Sequence, residues 1–192
     1  MEGNKNMGTN SAGFSYNMVL DSPLGRLGIA CCDQKLVRLD YLTGHVALNP
    51  ASTPFEREIA AQLADFFKTP SQPFTLALDM RGTDFQRRVW QALTCISAGQ
   101  TLTYGELAAQ LDSGARAVGN ACRNNPVSIV VPCHRVVSAA GIGGYSGKTD
   151  GREIDRKQWL LRHEGNTPGA LKTRPKTPSN GMYTNKQRNL HA

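Results

Sequence analysis

The run Pro132-Cys133-His134-Arg135-Val136 sets a thiol beside an imidazole. A thiol is a strong nucleophile only as the thiolate, and a free cysteine is mostly protonated at neutral pH. A histidine within reach is a common means of drawing off that proton. The pair could therefore attack carbon, as a cysteine hydrolase does. The bland alternative is a buried cysteine ending the apolar, strand-like stretch Val127-Ser128-Ile129-Val130-Val131, since free cysteine is among the most buried residues. Cys133 and His134 alone do not choose between these readings. Glu164 adds a carboxylate in the last turn of a helix expected over residues 155–164, where it opposes the helix dipole and calls for a partner.

The elements around these residues are legible from period and caps. Residues 14–41 read as a strand region. Two short apolar runs, 25–30 and 36–41, flank the turn Asp33-Gln34-Lys35, and Val37, Leu39 and Tyr41 alternate with Arg38 and Asp40. Thr53-Pro54-Phe55-Glu56 opens a helix with a capping box and a proline at the first helical position. Phe55, Ile59, Leu63, Phe66 and Phe67 form its apolar stripe, and Pro70 and Pro73 end it. Residues 14–74 thus make a small α/β unit with no chemical constellation of its own.

A second unit starts with the capping box Thr83-x-x-Gln86, followed by Phe85, Val89, Trp90 and Leu93 on one helical face. A third box, Thr103-x-x-Glu106, opens a helix over 104–111. After the break Asp112-Ser113-Gly114, residues 115–124 make another. Two short helices joined by a glycine-containing turn have the proportions of a helix-turn-helix. The second carries Ala115, Ala117, Gly119, Asn120 and Ala121 with the cationic arms Arg116 and Arg123. Small side chains there suit tight helix packing or close approach to a DNA backbone or groove. The glycine-rich loop 139–147 is either a surface turn or a pocket wall, and it lacks a phosphate-loop or dinucleotide fingerprint.

Composition narrows the class. At 192 residues the chain holds one domain, or two small ones sharing an interior. No run nears the roughly 20 apolar residues that span a bilayer, and the polar start lacks the apolar core of a secretory signal. The five cysteines, Cys31, Cys32, Cys95, Cys122 and Cys133, include no Cys-x-x-Cys pair. That fits a reducing compartment, cytoplasmic or, in a nucleated cell, nuclear. Cys31, Cys32 and His45 lack an obvious fourth metal ligand. The net charge of +7 is less telling than it looks. Five of those charges sit in the tail at Lys172, Arg174, Lys176, Lys186 and Arg188; Glu2 and Lys5 cancel; residues 13–165 keep +2. Nucleic-acid binding must be argued from a local surface. Residues 1–12 and the basic tail 167–192 read as disordered.

Taken in order, Asn125-Pro126-Val127, Val131-Pro132-Cys133-His134-Arg135-Val136, Gly144-Tyr145-Ser146-Gly147 and Leu160-Leu161-Arg162-His163-Glu164-Gly165 resemble the O6-alkylguanine-DNA alkyltransferases. Arg116-Ala117-Val118-Gly119 and Thr103-Tyr104 fit the same pattern. The resemblance covers residues 83–165 most closely. It implies an α/β fold: a small RNase H-like N-terminal domain, residues 13–78, then a mainly helical, winged helix-turn-helix-like C-terminal domain, residues 79–166.

The resemblance also implies direct, irreversible transfer of an alkyl group, chiefly methyl, from guanine O6 or thymine O4 to Cys133, once per molecule, by a monomer without a cofactor. Its partner would be double-stranded DNA carrying O6-alkylguanine, with no membrane role. His134 would take the thiol proton through a water, and Glu164 would orient and charge the histidine. Asn125 would fix the active-site turn, and Tyr104 would donate to the departing guanine. The Val136 carbonyl and the Ser146 backbone N–H would read the base edge, and Tyr145 would line the pocket. The base would be flipped out, Arg116 would fill the vacated stack, and the helix with Ala115, Gly119 and Arg123 would lie in the minor groove. Two departures stand out. Residues 148–154 form a longer loop than in familiar relatives, and the zinc site of some animal relatives has no evident counterpart, so no metal is expected. Cys133 argues against the noncatalytic branch of the family, which lacks the acceptor. A cysteine hydrolase and a helix-turn-helix module without chemistry remain the competing readings.

Overall fold

A computed structural model of the chain describes residues 15–165. The ends expected to be disordered, 1–12 and 167–192, lie outside them. Strands β1 (Met18–Leu20), β2 (Leu27–Cys32) and β3 (Lys35–Tyr41) form an antiparallel sheet in sequence order. The β2–β3 turn has both Asp33 and Gln34 at positive φ, 49° and 55°. Two such residues give the turn a twist that matches the strands. The alternation expected in β3 holds only in part. Leu39 is fully buried, but Leu36 rather than Val37 is its inward neighbour. A register shift opposite, between Ala30 and Cys31, breaks the period of two.

Helix α1 (Pro54–Lys68) starts at the Thr53 capping box and buries Ile59, Leu63 and Phe66. Helix α2 (Asp84–Thr94) starts at the Thr83 box and buries Val89, Trp90 and Leu93. Strand β4 (Leu102–Thr103) runs straight into α3 (Tyr104–Gln110), with Thr103 both in the strand and capping the helix. Helix α4 (Ala115–Arg123) follows the Asp112–Gly114 break. The indole of Trp90 donates to the Ala121 carbonyl at 2.9 Å and locks α2 to α4. Strand β5 (Val136–Val137) pairs in parallel with β4, Leu102 opposite Val136. That pairing sets Tyr104 beside the Cys133 segment.

Helix α5 spans Gly151–His163, so the helix expected from residue 155 begins four residues earlier. The stretch 148–154 is therefore not all loop: residues 148–150 precede the helix and the rest is its first turn. Asp150 is its N-cap but makes no side-chain hydrogen bond, so the Asp150-x-x-Glu153 spacing does not become a capping box.

Leu36, Leu39, Ile59 and Phe66 from the first unit share one apolar cluster with Trp90, Val118, Val127 and Leu160 from the second. The edge of β3 reinforces this junction. Leu39 donates from its N–H to the Pro126 carbonyl at 2.9 Å and accepts from Ser128 N–H at 3.2 Å. The sheet thus holds the segment that leads to Cys133.

Candidate active site

That segment is closed by one side chain. Asn125 donates from Nδ2 to the Val131 carbonyl at 2.8 Å and accepts at Oδ1 from Val127 N–H at 3.0 Å. Val131 N–H also bonds the Val127 carbonyl at 3.0 Å. The five residues expected to be strand-like are instead a tight loop with a single bridge, Val127 to Leu39. Ile129 sits at φ 72°, a left-handed conformation that costs a β-branched residue roughly 1–2 kcal/mol. Its side chain is fully buried, and the gain from that burial outweighs the backbone cost.

Past Pro132 the chain makes one 3-10 turn, Cys133–Arg135. Cys133 is buried, and its Sγ accepts from the same Asn125 Nδ2 at 3.2 Å. Burial pushes the thiol up. The Asn125 amide, the Lys157 ammonium and the Tyr145 hydroxyl pull it down without cancelling that push. The resting residue is a thiol and needs a base.

His134 supplies the candidate. It is fully buried, with Nε2 2.9 Å from Glu164 Oε1. Burial lowers its pKa more than Glu164 raises it, so the imidazole is neutral at pH 7. Burial raises the Glu164 carboxyl, but hydrogen bonds from His134 and Arg135, with the Arg135 charge, bring it to about 2. An ionised carboxylate only accepts, so Nε2 carries the imidazole proton and Nδ1 presents its lone pair. The buried Nδ1 has no hydrogen-bond partner among the described residues. Arg135 grips Glu164 in a fork, Nε to Oε2 at 2.9 Å and the second nitrogen to Oε1 at 2.8 Å, and also reaches the Ile96 carbonyl. Glu164, at the C-cap of α5, finds in these two side chains the partners its position required.

Above Cys133 lies a pocket of about 240 Å3. Tyr104, Gly119 and Arg123 line one side; Gly144, Tyr145 and Ser146 line the other. Tyr145 and Lys148 exchange backbone hydrogen bonds at 2.9 Å, closing a tight turn with Ser146 at φ 49° and Gly147 at φ 77°. Arg123 lies across Gly147: a Cβ there would come within 2.6 Å of its Nε. This cationic arm therefore rims the pocket. The Tyr104 hydroxyl donates to the Gly144 carbonyl at 3.0 Å. Helix α4 buries Val118, Ala121 and Cys122 and exposes Ala115, Arg116 and Asn120. Ala121 serves packing, whereas Ala115 and Arg116 face outward.

Each expected residue is thus accounted for: Tyr104, Gly119, Arg123, Asn125, Cys133, His134, Val136, Tyr145, Ser146 and Glu164 cluster, and Ala115 and Arg116 stand on the exposed flank of α4. The Val136 carbonyl is already engaged, accepting from Lys157 Nζ at 2.6 Å. Among the described residues no group of three or more His, Cys, Asp or Glu side chains is placed to hold a metal, and all five cysteines are free.

Residues 15–80 match the model of the 6-O-methylguanine DNA methyltransferase ribonuclease-like domain, and residues 84–166 match that of the DNA binding domain of the same proteins. The chain belongs to the 6-O-methylguanine DNA methyltransferase family. It is 42% identical over 154 residues to a methylated-DNA–protein-cysteine methyltransferase of Mycolicibacterium paratuberculosis, covering 76% of this chain and 89% of the relative. A Salmonella typhimurium protein of the same name is 41% identical over 162 residues, covering 75% and 92%. Among solved structures, Mycobacterium tuberculosis OGT in complex with DNA is 38% identical with a TM-score of 0.66, covering 79% of this chain and 94% of that one.

Two residues of this family member's site were not singled out from sequence. Arg135 anchors Glu164, and Lys157 lies buried under the pocket. The signal for Lys157 was available: with Ile154, Leu160 and Leu161 it falls on the buried face of α5, where a lysine is out of place.

Proposed function

We propose that the protein repairs DNA by moving an alkyl group, chiefly methyl, from guanine O6 to Sγ of Cys133. The same route serves O4 of thymine. The thiol proton passes to His134 Nδ1 through an intervening water, and the imidazolium is held by Glu164. The thiolate attacks the alkyl carbon, the carbon–O6 bond breaks, and guanine leaves as an anion that takes up a proton, with Tyr104 as the nearby donor. Sulfur ends as a neutral thioether with no leaving group for water to displace, so each molecule acts once.

The observation that carries this reading is a buried thiol on the floor of a base-sized pocket, hydrogen-bonded by Asn125 and adjoining the His134–Glu164 pair. A base in a duplex must rotate out to reach such a pocket. The exposed face of α4 is small enough to approach the minor groove, and Arg116 stands ready to fill the vacated stack. The N-terminal domain braces the active-site turn through the edge of β3, and the C-terminal domain carries the chemistry and the DNA-binding surface. Lys148 and Thr149, at the pocket wall, limit which alkyl groups fit. Among the described residues no helix is long and apolar enough to cross a membrane; a DNA substrate and five free thiols suit the cytoplasm.

The competing cysteine hydrolase would turn over. With excess duplex containing O6-methylguanine, the guanines restored per protein should plateau at about one. Many turnovers would overturn the transfer reading.

A further inference from the structure

We infer that Tyr41, on the N-terminal unit, is a positioning residue for the transfer: its hydroxyl donates to that of Tyr145, which in turn donates to Cys133 Sγ as the thiolate forms. The inference rests on the alkyl-transfer reading. Tyr41 ends β3, paired with Leu27 of β2, and Tyr145 is buried in the pocket hairpin. Their hydroxyls lie 3.2 Å apart, and their ring centres are 6.5 Å apart with the planes tilted by 59°. The phenols thus meet at their tips rather than face to face. The Tyr145 hydroxyl is also a hydrogen-bond partner of Cys133 Sγ. Two hydroxyls therefore link the edge of the first unit to the reacting sulfur, at a junction where apolar side chains alone would serve packing.

Proton counting fixes the direction. Each hydroxyl has one proton to donate and lone pairs to accept with. Burial pushes both phenols up, so neither ionises at neutral pH. Once Cys133 loses its proton to His134, the sulfur is the strongest acceptor in reach, and Tyr145 turns its one proton toward it. The Tyr145 oxygen then accepts from Tyr41. Neither proton leaves its oxygen. Hydrogen bonds in such a chain polarise and strengthen one another. Arg156 strengthens the outer end. Its guanidinium carbon lies 4.3 Å from the centre of the Tyr41 ring, and a cation over a phenol makes the hydroxyl a better donor. Arg156 is itself held by Glu153 at 2.5 Å and by the Leu24 carbonyl at 3.4 Å. The charged and titratable groups facing the two hydroxyls are thus Arg156 and Glu153 on α5 and Cys133 on the 3-10 turn.

The test is a double-mutant cycle that removes the hydroxyls and nothing else: Tyr41→Phe, Tyr145→Phe and the two together. The readout is alkylation of Cys133 by iodoacetamide across a pH series, with peptide mass analysis separating it from the exposed Cys32 and Cys95. In Tyr41→Phe the midpoint for Cys133 should rise by about half a pH unit, with a rate about threefold lower at pH 7, and Cys32 and Cys95 should be unchanged. Tyr145→Phe should lose at least as much. The double variant should lose no more than Tyr145→Phe, because Tyr41 acts only through Tyr145. A folded Tyr41→Phe with the wild-type Cys133 profile would overturn the inference, and so would losses that add. If Tyr41→Phe does not fold, 3-fluorotyrosine at position 41 keeps the ring and makes its hydroxyl a stronger donor. It should lower the Cys133 midpoint, and no movement would overturn the relay. Wild-type protein tested in parallel on O6-methylguanine duplex separates the two ideas. Absence of methyl transfer with the iodoacetamide shifts intact would sink the repair reading and leave the relay standing.

Discussion

Glu164 accepts from His134 and from both arms of the Arg135 fork, and its side chain is fully shielded from solvent. A carboxyl held at about 2 rather than its ordinary 4.5 stabilises the fold above pH 4.5, and that contribution disappears as pH falls through 2. The shift corresponds to about 3 kcal/mol. Glu164→Gln should therefore melt lower than the wild type at pH 7 and lose less further stability between pH 4.5 and 2. Circular dichroism melts at those pH values check this. The variant should also transfer methyl more slowly, because the His134 imidazolium loses its counter-ion. Arg116 stands at the opposite extreme. It is exposed, and no hydrogen bond or ion pair engages it among the described residues. Arg116→Ala should change stability by less than about 0.5 kcal/mol. It should slow repair of duplex DNA well beyond any effect on reaction with free O6-benzylguanine. Equal losses on the two substrates would contradict its role in flipping.

At the scale of elements, the helix starts were readable because their signals are local. Thr53, Thr83 and Thr103 each form the capping box their spacing announced. The Thr103 box also fixes the backbone of Tyr104, the first residue of α3. Glu106 accepts from Thr103 N–H at 2.8 Å, and Thr103 Oγ1 accepts from Glu106 N–H at 3.2 Å. Thr103→Ala should cost about 1 kcal/mol and reduce methyl transfer by loosening Tyr104, as denaturant titration and a repair assay would show. Where signals are not local, sequence misleads. Val127–Val131 has the composition of a strand, but Asn125 folds it into a loop through hydrogen bonds that no periodicity encodes. At the start of α5 the Asp150-x-x-Glu153 spacing forms no box: the Asp150 side chain makes no capping hydrogen bond, and Gly151 begins the helix at φ 69°.

Across the whole molecule, the two units share a core, and the segment leading to Cys133 is hydrogen-bonded across their junction. The Leu39 bridge braces the active-site turn from the first unit, and the tyrosine hydroxyls of Tyr41 and Tyr145 meet at 3.2 Å beside the pocket. Arg156 stacks on the Tyr41 ring at 4.3 Å. The sequence pointed to Cys133, His134 and Glu164 as a set through the family pattern, although 30 residues separate Glu164 from His134. The apolar face of α5 marks Lys157 as buried, but its acceptors, the Val136 and Gly144 carbonyls, lie far from it in sequence and no local pattern names them. All these parts converge on one thiol. The most direct measurement is a peptide mass map after incubation with duplex DNA carrying O6-methylguanine. One methyl group on Cys133, with restored guanine in the DNA and none on Cys32, Cys95 or Cys122, is the predicted result. Folded protein whose Cys133 stays unmodified would contradict the account.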